Sequence, residues 1–199
     1  NETLYQLSCD DNRLTALDVS GATELVTLSC RENQLTELDV SRNTKLESLD
    51  FAYNKLDAVD VSNNTALTYL ECSGNGLTDL DVSKNTALTG LICRENGLTE
   101  LDISNNVALS TLNCTENALT CLDVSMLPEL QYLYCDGNKL KELDVSGNPK
   151  LTWVMCADNQ LVCFNAENCE NLTMALVSGN KRTVCTEGEI DLSVFFGFD

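Results

Sequence analysis

The 199-residue sequence contains no histidine. Its absence excludes Ser-His and Cys-His catalytic pairs, histidine general bases and zinc sites with histidine ligands. Basic residues are also scarce, because 12 lysines and arginines stand against 31 aspartates and glutamates, for a formal net charge of −19. That balance argues against binding to nucleic acid, since contacts to phosphates require an excess of lysine and arginine.

Long apolar runs are missing too. No run approaches the ~18–20 residues of a membrane span, so we expect none. The composition is nevertheless 43% hydrophobic, which is typical of a folded chain and not of a disordered acidic tail. The length suits one domain or one continuous array. Eleven cysteines are many for this length and have to be explained.

A 21-residue repeat accounts for most of the chain. Eight full copies run from Leu4 to Asn171 without insertion or deletion, and a partial ninth begins at Leu172 and fades after Asn180. We number the positions of the repeat 1 to 21. Position 1 is leucine and position 9 is asparagine in all nine copies, while positions 4, 11, 14 and 16 are mostly leucine or valine. One copy cannot bury its own apolar side chains, so the pattern predicts stacked copies that share one core.

The pattern LxxLx(C)xxNxL is the leucine-rich repeat signature. The predicted fold class is therefore an α/β-type leucine-rich repeat solenoid, whose concave side is a curved parallel sheet formed by positions 3 to 5. Positions 4 and 6 should point into the core, and positions 3 and 5 toward solvent. For the convex side we expect mostly turns, short 3-10 and extended segments, and little regular helix. The array should span residues 1–180, with residues 181–199 as a C-terminal cap or the start of a further module.

Position 6 forms a column of cysteines where this fold usually has leucine. Its members are Cys9, Cys30, Cys72, Cys93, Cys114, Cys135 and Cys156. A chain of disulfides or a metal site is possible in principle, but side chains on strands ~4.8 Å apart run parallel and are poorly placed for unstrained disulfides. We therefore predict buried, reduced thiols. Four cysteines lie outside the column, and a capping disulfide among the last three of them, with its pairing open, is one interpretation. These are Cys121, Cys163, Cys169 and Cys185.

The cysteine column also carries a family resemblance. The fragments CRENQLTELDVSRNT and CRENGLTELDISNNV each combine the column cysteine with a following LTxLDxSxN motif. In this respect the chain resembles bacterial cell-surface leucine-rich repeat proteins of the internalin J type, whose 21-residue repeats form a cysteine ladder. The resemblance implies an exported protein, extracellular or displayed on the bacterial cell surface, that binds proteins or glycans and is not an enzyme.

Polar residues form further columns. The position-9 asparagines, and a second asparagine column at position 19, are expected to hydrogen-bond backbone groups in the turns. Aspartates at position 15, from Asp18 to Asp144, should accept hydrogen bonds from nearby serine, threonine or backbone groups. Calcium binding is the alternative for this column, but it lacks a turn glycine and a clustered ligand set. We expect no metal and no cofactor.

The outward positions 3 and 5 change character along the array. In the first six repeats only Tyr69 and Ile92 are large and apolar among twelve such side chains, whereas in the last three repeats all six are. These six are Tyr132, Tyr134, Trp153, Met155, Met174 and Leu176. An exposed apolar patch of this kind marks a partner surface. We predict that the six and Tyr69 contact a partner, with Asn113 and Asp158 on the rim; the alternative is that residues 181–199 cover the six as a cap.

The predicted function is a monomeric, non-catalytic binding module for a protein partner. The alternatives are a glycan-binding module, in which Trp153 and the tyrosines stack on sugar rings, and a structural spacer. An enzyme is disfavoured. Asp50 and Glu71, the one adjacent pair of concave carboxylates, would be the candidate acid–base pair. The uncharged Ser, Thr and Gly residues around them suggest no tuned acid.

Overall fold

The computed structural model describes residues 1–180 and forms the predicted solenoid. Each repeat contributes one three-residue strand at positions 3 to 5. The strands are β1 (Gln6–Ser8), β2 (Thr27–Ser29), β3 (Ser48–Asp50), β4 (Tyr69–Glu71), β5 (Gly90–Ile92), β6 (Thr111–Asn113), β7 (Tyr132–Tyr134), β8 (Glu142–Asp144), β9 (Trp153–Met155), β10 (Cys163–Asn165) and β11 (Met174–Leu176). Nine of them form one parallel sheet in the order β1-β2-β3-β4-β5-β6-β7-β9-β11. The leucine-rich repeat fold class is thereby confirmed.

The register of the sheet stacks identical repeat positions on one another. Leu91 of β5, for example, pairs with Leu112 of β6. The other two strands, β8 and β10, form a small parallel sheet at positions 13 to 15 of the seventh and eighth repeats. The remaining turns include single i to i+3 hydrogen bonds, such as Ala22 N to Val19 O at 2.9 Å. Residues 1–180 contain no helix, and hence none that could span a membrane.

The core lies directly behind the sheet. Leucines at positions 1 and 4, such as Leu88 and Leu91, are fully buried, while position 3 and 5 side chains are mostly exposed or partly exposed. This alternation is the one expected of extended strands and confirms the predicted inward and outward positions. Each strand ends quickly, because position 8 has a left-handed backbone in all nine repeats. The φ angles lie between 51° and 72° at Asp11, Glu32, Tyr53, Gly74, Glu95, Glu116, Gly137, Asp158 and Gly179.

The polar columns bond as the sequence predicts. Asn96, at position 9, donates from Nδ2 to the carbonyls of Cys72 and Cys93, both at 3.2 Å. At position 19, Asn85 Nδ2 lies 3.0 Å from Val61 O. In the aspartate column, the Ser83 backbone N–H donates to Asp81 at 2.8 Å and lowers the pKa of that carboxyl. The columns therefore join successive turns of the solenoid, and the aspartates are held individually despite their like charge.

The ladder cysteines are free thiols, and all but Cys9 are fully buried. Burial raises the pKa of Cys30, Cys114 and Cys156 to about 12, so these thiols are protonated at neutral pH. Outside the ladder, Cys121 and Cys169 are also free. Cys163 is disulfide-bonded. The prediction of a reduced, buried column is confirmed.

We expect a thiol reagent to label the native protein first at Cys121, which is exposed. The buried ladder thiols should react only in urea and all together, because they become accessible when the shared core opens. Mass spectrometry of alkylated peptides measures both steps. Cys163 serves as the internal control, since it should stay unlabelled in urea until a reductant is added. Peptides joined by bridges between successive ladder cysteines would contradict the packing argument.

Candidate partner-binding surface

The six apolar side chains predicted from the last three repeats lie together on the concave sheet. Tyr132 pairs with Trp153, and Tyr134 with Met155, across β7 and β9. On the other side of β9, Met174 and Leu176 of β11 continue the same two rows. The six side chains therefore form one contiguous surface, which we call the concave patch: Tyr132, Tyr134, Trp153, Met155, Met174 and Leu176.

The concave patch is partly open to solvent. Tyr132 is 39% exposed and Leu176 36%, while the other four side chains are partly buried. The inward residues of the same three strands, Leu133, Val154 and Ala175, are fully buried. The core beneath is therefore closed by inward side chains, and it does not require large apolar side chains on the outer face.

The other three predicted contact residues lie at different places relative to the concave patch. Asn113 pairs with Tyr134 across β6 and β7 and thus borders the concave patch, as predicted. Asp158 follows β9 in the left-handed conformation, with its carboxylate against Gly179, where any side chain would collide with it. Tyr69 does not join them. It lies on β4, three strands from β7, and pairs with Ser48 and Gly90.

Carboxylates surround the near edge of the patch. Asp136, two residues after Tyr134, is half-buried and accepts a hydrogen bond from Ala157 N at 2.9 Å. Burial raises the pKa of the Asp136 carboxyl, and the negative charges of Asp158 and Glu116 raise it further. The edge is consequently a region of negative potential, where a cationic group would be stabilised.

A cluster in the N-terminal half was missed by the sequence analysis. The guanidinium carbons of Arg31 and Arg94 lie 5.8 and 5.9 Å from the centre of the Tyr53 ring, and Arg94 Nη2 donates to Tyr53 Oη at 2.5 Å. The ring lies over Gly74, where a Cβ atom would come within 2.3 Å of it. These residues occupy positions 7 and 8. The signal for them was the Arg-Glu pair that follows the cysteine in both quoted fragments.

The surroundings of Asp50 and Glu71 also differ from the expectation. Uncharged neighbours were predicted, but Arg31 and Arg94 are close enough to lower the pKa values of Asp50 and Glu71, respectively. Burial has the larger effect and raises the pKa of both carboxyls. The pair is therefore partly desolvated and electrostatically perturbed. Within residues 1–180, no group of three or more cysteine, aspartate or glutamate side chains is placed to hold a metal ion.

Comparison with known proteins agrees with the fold. A family model described as Leucine Rich repeat matches residues 42–63. The functional domain of InlJ from Listeria monocytogenes, whose structure includes a cysteine ladder, is 38% identical to this chain, with a TM-score of 0.70. That match covers 86% of this chain and 46% of InlJ. No curated protein matched the chain.

Two further solved structures share the architecture. The Leptospira interrogans leucine-rich repeat protein LIC12759 is 25% identical with a TM-score of 0.85, over 90% of this chain and 50% of that one. Internalin C2 from Listeria monocytogenes, at 22% identity and a TM-score of 0.77, is matched over 90% of this chain and 82% of its own and shows the fold alone. This chain spans about half the length of InlJ and of LIC12759. With its leucine columns and buried thiols, it is a leucine-rich repeat protein whose 21-residue cysteine-ladder repeats are like those of internalin J.

Proposed function

We propose that the protein is a non-catalytic binding module that docks a partner protein on the concave patch. The observation that carries this proposal is the contiguity of six large apolar side chains across β7, β9 and β11, on a sheet whose other strands face solvent with mostly small or polar side chains. Aromatic side chains and methionine are enriched at the centres of protein interfaces. The concave patch combines both kinds.

The chemistry of the rim indicates what such a partner presents. The apolar centre is bordered by the amide of Asn113 and by the carboxylates of Asp136 and Asp158. With a net charge of −19, the whole chain attracts basic surfaces over a long range. The best-fitting partner protein therefore presents an apolar side chain that is surrounded by basic residues.

A glycan is the second candidate, because Trp153 and two tyrosines occur in one patch and could stack on sugar rings. Stacking requires an open ring face, however, and Trp153 is partly buried. Its Nε1 is enclosed, with no hydrogen-bond partner among the described residues. The enclosed indole favours a protein partner over a sugar.

Two observations support export and display outside the cell. The likeness to InlJ extends to the cysteine ladder, and the resemblance implies surface display for this group. Cys163 is disulfide-bonded, which is typical of oxidising compartments. Support for a non-catalytic role comes from the absence of histidine in the sequence and from the mostly uncharged side chains at positions 3 and 5 of the sheet.

The double variant Trp153→Ala with Tyr132→Ala is expected to weaken partner binding by ~2 kcal/mol or more, about thirty-fold, because it removes two aromatic anchors from the patch. The partner is first captured by a photo-crosslinking residue placed at Tyr132 and identified by mass spectrometry. Its affinity for wild-type and variant protein is then measured by calorimetry. A glycan array run in parallel tests the second candidate.

The matched control is Val107→Ala with Met126→Ala, which removes two exposed apolar side chains outside the strands of the concave sheet. It should bind like wild type. Unchanged affinity in the Trp153 and Tyr132 variant would place the interface elsewhere. A large loss of melting temperature in that variant would instead indicate that the patch is covered core. Coverage by residues 181–199 was the alternative expectation, and those residues lie outside the described part of the chain.

A further inference from the structure

Two of the nine position-9 asparagines are followed by glycine. They are Asn75 and Asn96, followed by Gly76 and Gly97, and the sequence contains no other Asn-Gly pair. In the other seven repeats the next residue carries a side chain: Arg13, Gln34, Lys55, Ala118, Lys139, Gln160 and Lys181. An Asn-Gly pair readily closes into a ring through its own backbone nitrogen, because glycine has no side chain to hinder that nitrogen.

The fold does not require glycine at either place. Neither Gly76 nor Gly97 has a positive φ. A Cβ atom at Gly76 would lie 3.4 Å from Leu56 O, and one at Gly97 3.4 Å from Leu77 O, which is ordinary van der Waals contact. Ala118 occupies the equivalent place in the sixth repeat. Packing therefore does not explain why these two repeats carry the more reactive sequence.

The native ladder engages both groups that would react. The Asn96 amide donates to three backbone carbonyls and accepts from the Leu77 N–H, all at 3.1 to 3.2 Å. The Gly97 nitrogen, which would attack the amide, donates its proton to Leu77 O at 2.8 Å. Asn75 and Gly76 are held by the same set of bonds, with the Gly76 hydrogen bond at 2.7 Å. Ring closure requires both groups to leave these bonds, and hence requires the repeat to open.

We propose that Asn75–Gly76 and Asn96–Gly97 are modification sites that the native array protects and that form cyclic imides when the central repeats open. The glycine nitrogen loses its proton to hydroxide and bonds to Cγ of the asparagine, while Nδ2 takes up a proton and leaves as ammonia. Water then opens the imide at one of its two carbonyls, which gives aspartate or isoaspartate. Water is the only co-reactant.

The products do not fit back into the ladder. An aspartate formed from Asn96 has no N–H to donate, so a carboxylate oxygen would face the carbonyls of Cys72 and Cys93, which lie 3.2 Å from Nδ2 in the native chain. Isoaspartate also adds a methylene to the main chain and displaces residue 97 from its bond with Leu77. An opening that lasts long enough for ring closure is therefore recorded permanently in the chain.

These sites go beyond the docking function of the concave patch. They lie in the turns after β4 and β5, whereas the patch begins at β7. The reaction needs only this chain and water, so it can be tested without a partner. The two proposals can thus fail separately.

The experiment incubates the full chain at neutral pH with and without guanidinium chloride, and peptide mass spectrometry follows both products at each asparagine. Oxygen is excluded so that the thiols stay reduced. We expect aspartate and isoaspartate at Asn75 and Asn96 in denaturant. Formation in the native protein should be about a hundredfold slower or more, since central repeats are open about 1% of the time or less. The matched control is Asn117, which has the same ladder bonds but precedes Ala118, and should react much more slowly even in denaturant.

Gly97→Ala separates the reaction from the fold. It should suppress product at Asn96 in denaturant, while Asn75 of the same molecule reacts as in wild type. Its melting temperature should equal or slightly exceed that of wild type, because alanine fits here. Protein aged in denaturant until both sites are modified should not regain the wild-type melting curve after dilution. The double variant Gly76→Ala with Gly97→Ala, aged in the same way, should regain it.

Four results would overturn the proposal. The first is equal rates in the native and denatured protein, which would mean that the ladder gives no protection. The second is equal product at Asn117 and Asn96 in denaturant, which would mean that the following glycine does not matter. The third is aspartate without isoaspartate, which would indicate direct hydrolysis of the amide instead of a cyclic imide. The fourth is a wild-type melting curve of the modified protein, which would show that the products fit the ladder after all.

Discussion

Replacing Phe51 by cysteine is expected to destabilise the solenoid by about 3 kcal/mol. Phe51 occupies position 6 of the third repeat and is fully buried between the ladder cysteines Cys30 and Cys72. The substitution removes most of a phenyl ring from a dry core, and a cavity remains because the surrounding leucines are fixed by their own repeats. Repeat consensus predicts the opposite sign, since seven of the nine copies carry cysteine here.

Urea denaturation followed by circular dichroism measures the change in the free energy of unfolding. The control is Cys93→Ala, which removes one sulfur atom from the same fully buried column and should destabilise by about 1 kcal/mol. Its small effect would show that the column tolerates minor changes in volume. A stabilised Phe51→Cys protein would show that the neighbouring repeats relax into the space, and that the consensus outweighs local packing.

The fold was predictable because its determinants recur every 21 residues. Leu91 and Asn96 each belong to a column of nine equivalent positions. One interpretation of the repeat therefore assigns the strand, the inward-facing side chains and the turn in every copy. Parallel register then follows, because stacking equal copies pairs equal positions. The contiguity of the concave patch was predictable for the same reason. Positions 3 and 5 of consecutive repeats become neighbours whatever side chains they carry.

The features that escaped prediction are those that depend on single repeats. Tyr53 reaches both Arg31 and Arg94 because its backbone is left-handed at position 8 and because Gly74 leaves the adjacent place empty. Neither condition follows from the hydrophobic pattern. Tyr69 was included in the predicted partner surface because it is aromatic. Contact with the concave patch depends on its position along the array, however, and β4 lies three strands away from β7. The charged surroundings of Asp50 and Glu71 were missed because positions 7 and 8 were not followed as columns.

Asn96→Ala is expected to destabilise the protein by about 2–3 kcal/mol, because it leaves a buried backbone donor without a partner. The Leu77 N–H donates to Asn96 Oδ1 at 3.1 Å, and this is its one hydrogen bond within the described residues. The Cys93 carbonyl also loses one of its two amide donors, and only Asn117 remains. Asn96 lies in the fifth of nine repeats, so fraying of the ends cannot absorb the loss.

Asn85→Leu is the informative comparison, because it removes an asparagine of the position-19 column that is fully buried, whereas Asn96 is only partly buried. The carbonyls that Asn85 bonds, those of Val61 and Asn64, already accept backbone N–H groups of Asn64 and Leu67. Its own Oδ1 is buried with no donor among the described residues. Leu127 fills the same position two repeats later and is fully buried.

We therefore expect Asn85→Leu to change the free energy of unfolding by less than about 1 kcal/mol, against 2–3 kcal/mol for Asn96→Ala. Urea denaturation of the two variants beside wild type measures the difference. Equal losses would mean that any buried amide of the array is worth the same, whatever its partners. A larger loss at Asn85 would reverse the argument, because it would make the position-19 column, and not the position-9 ladder, the polar element that holds successive repeats together.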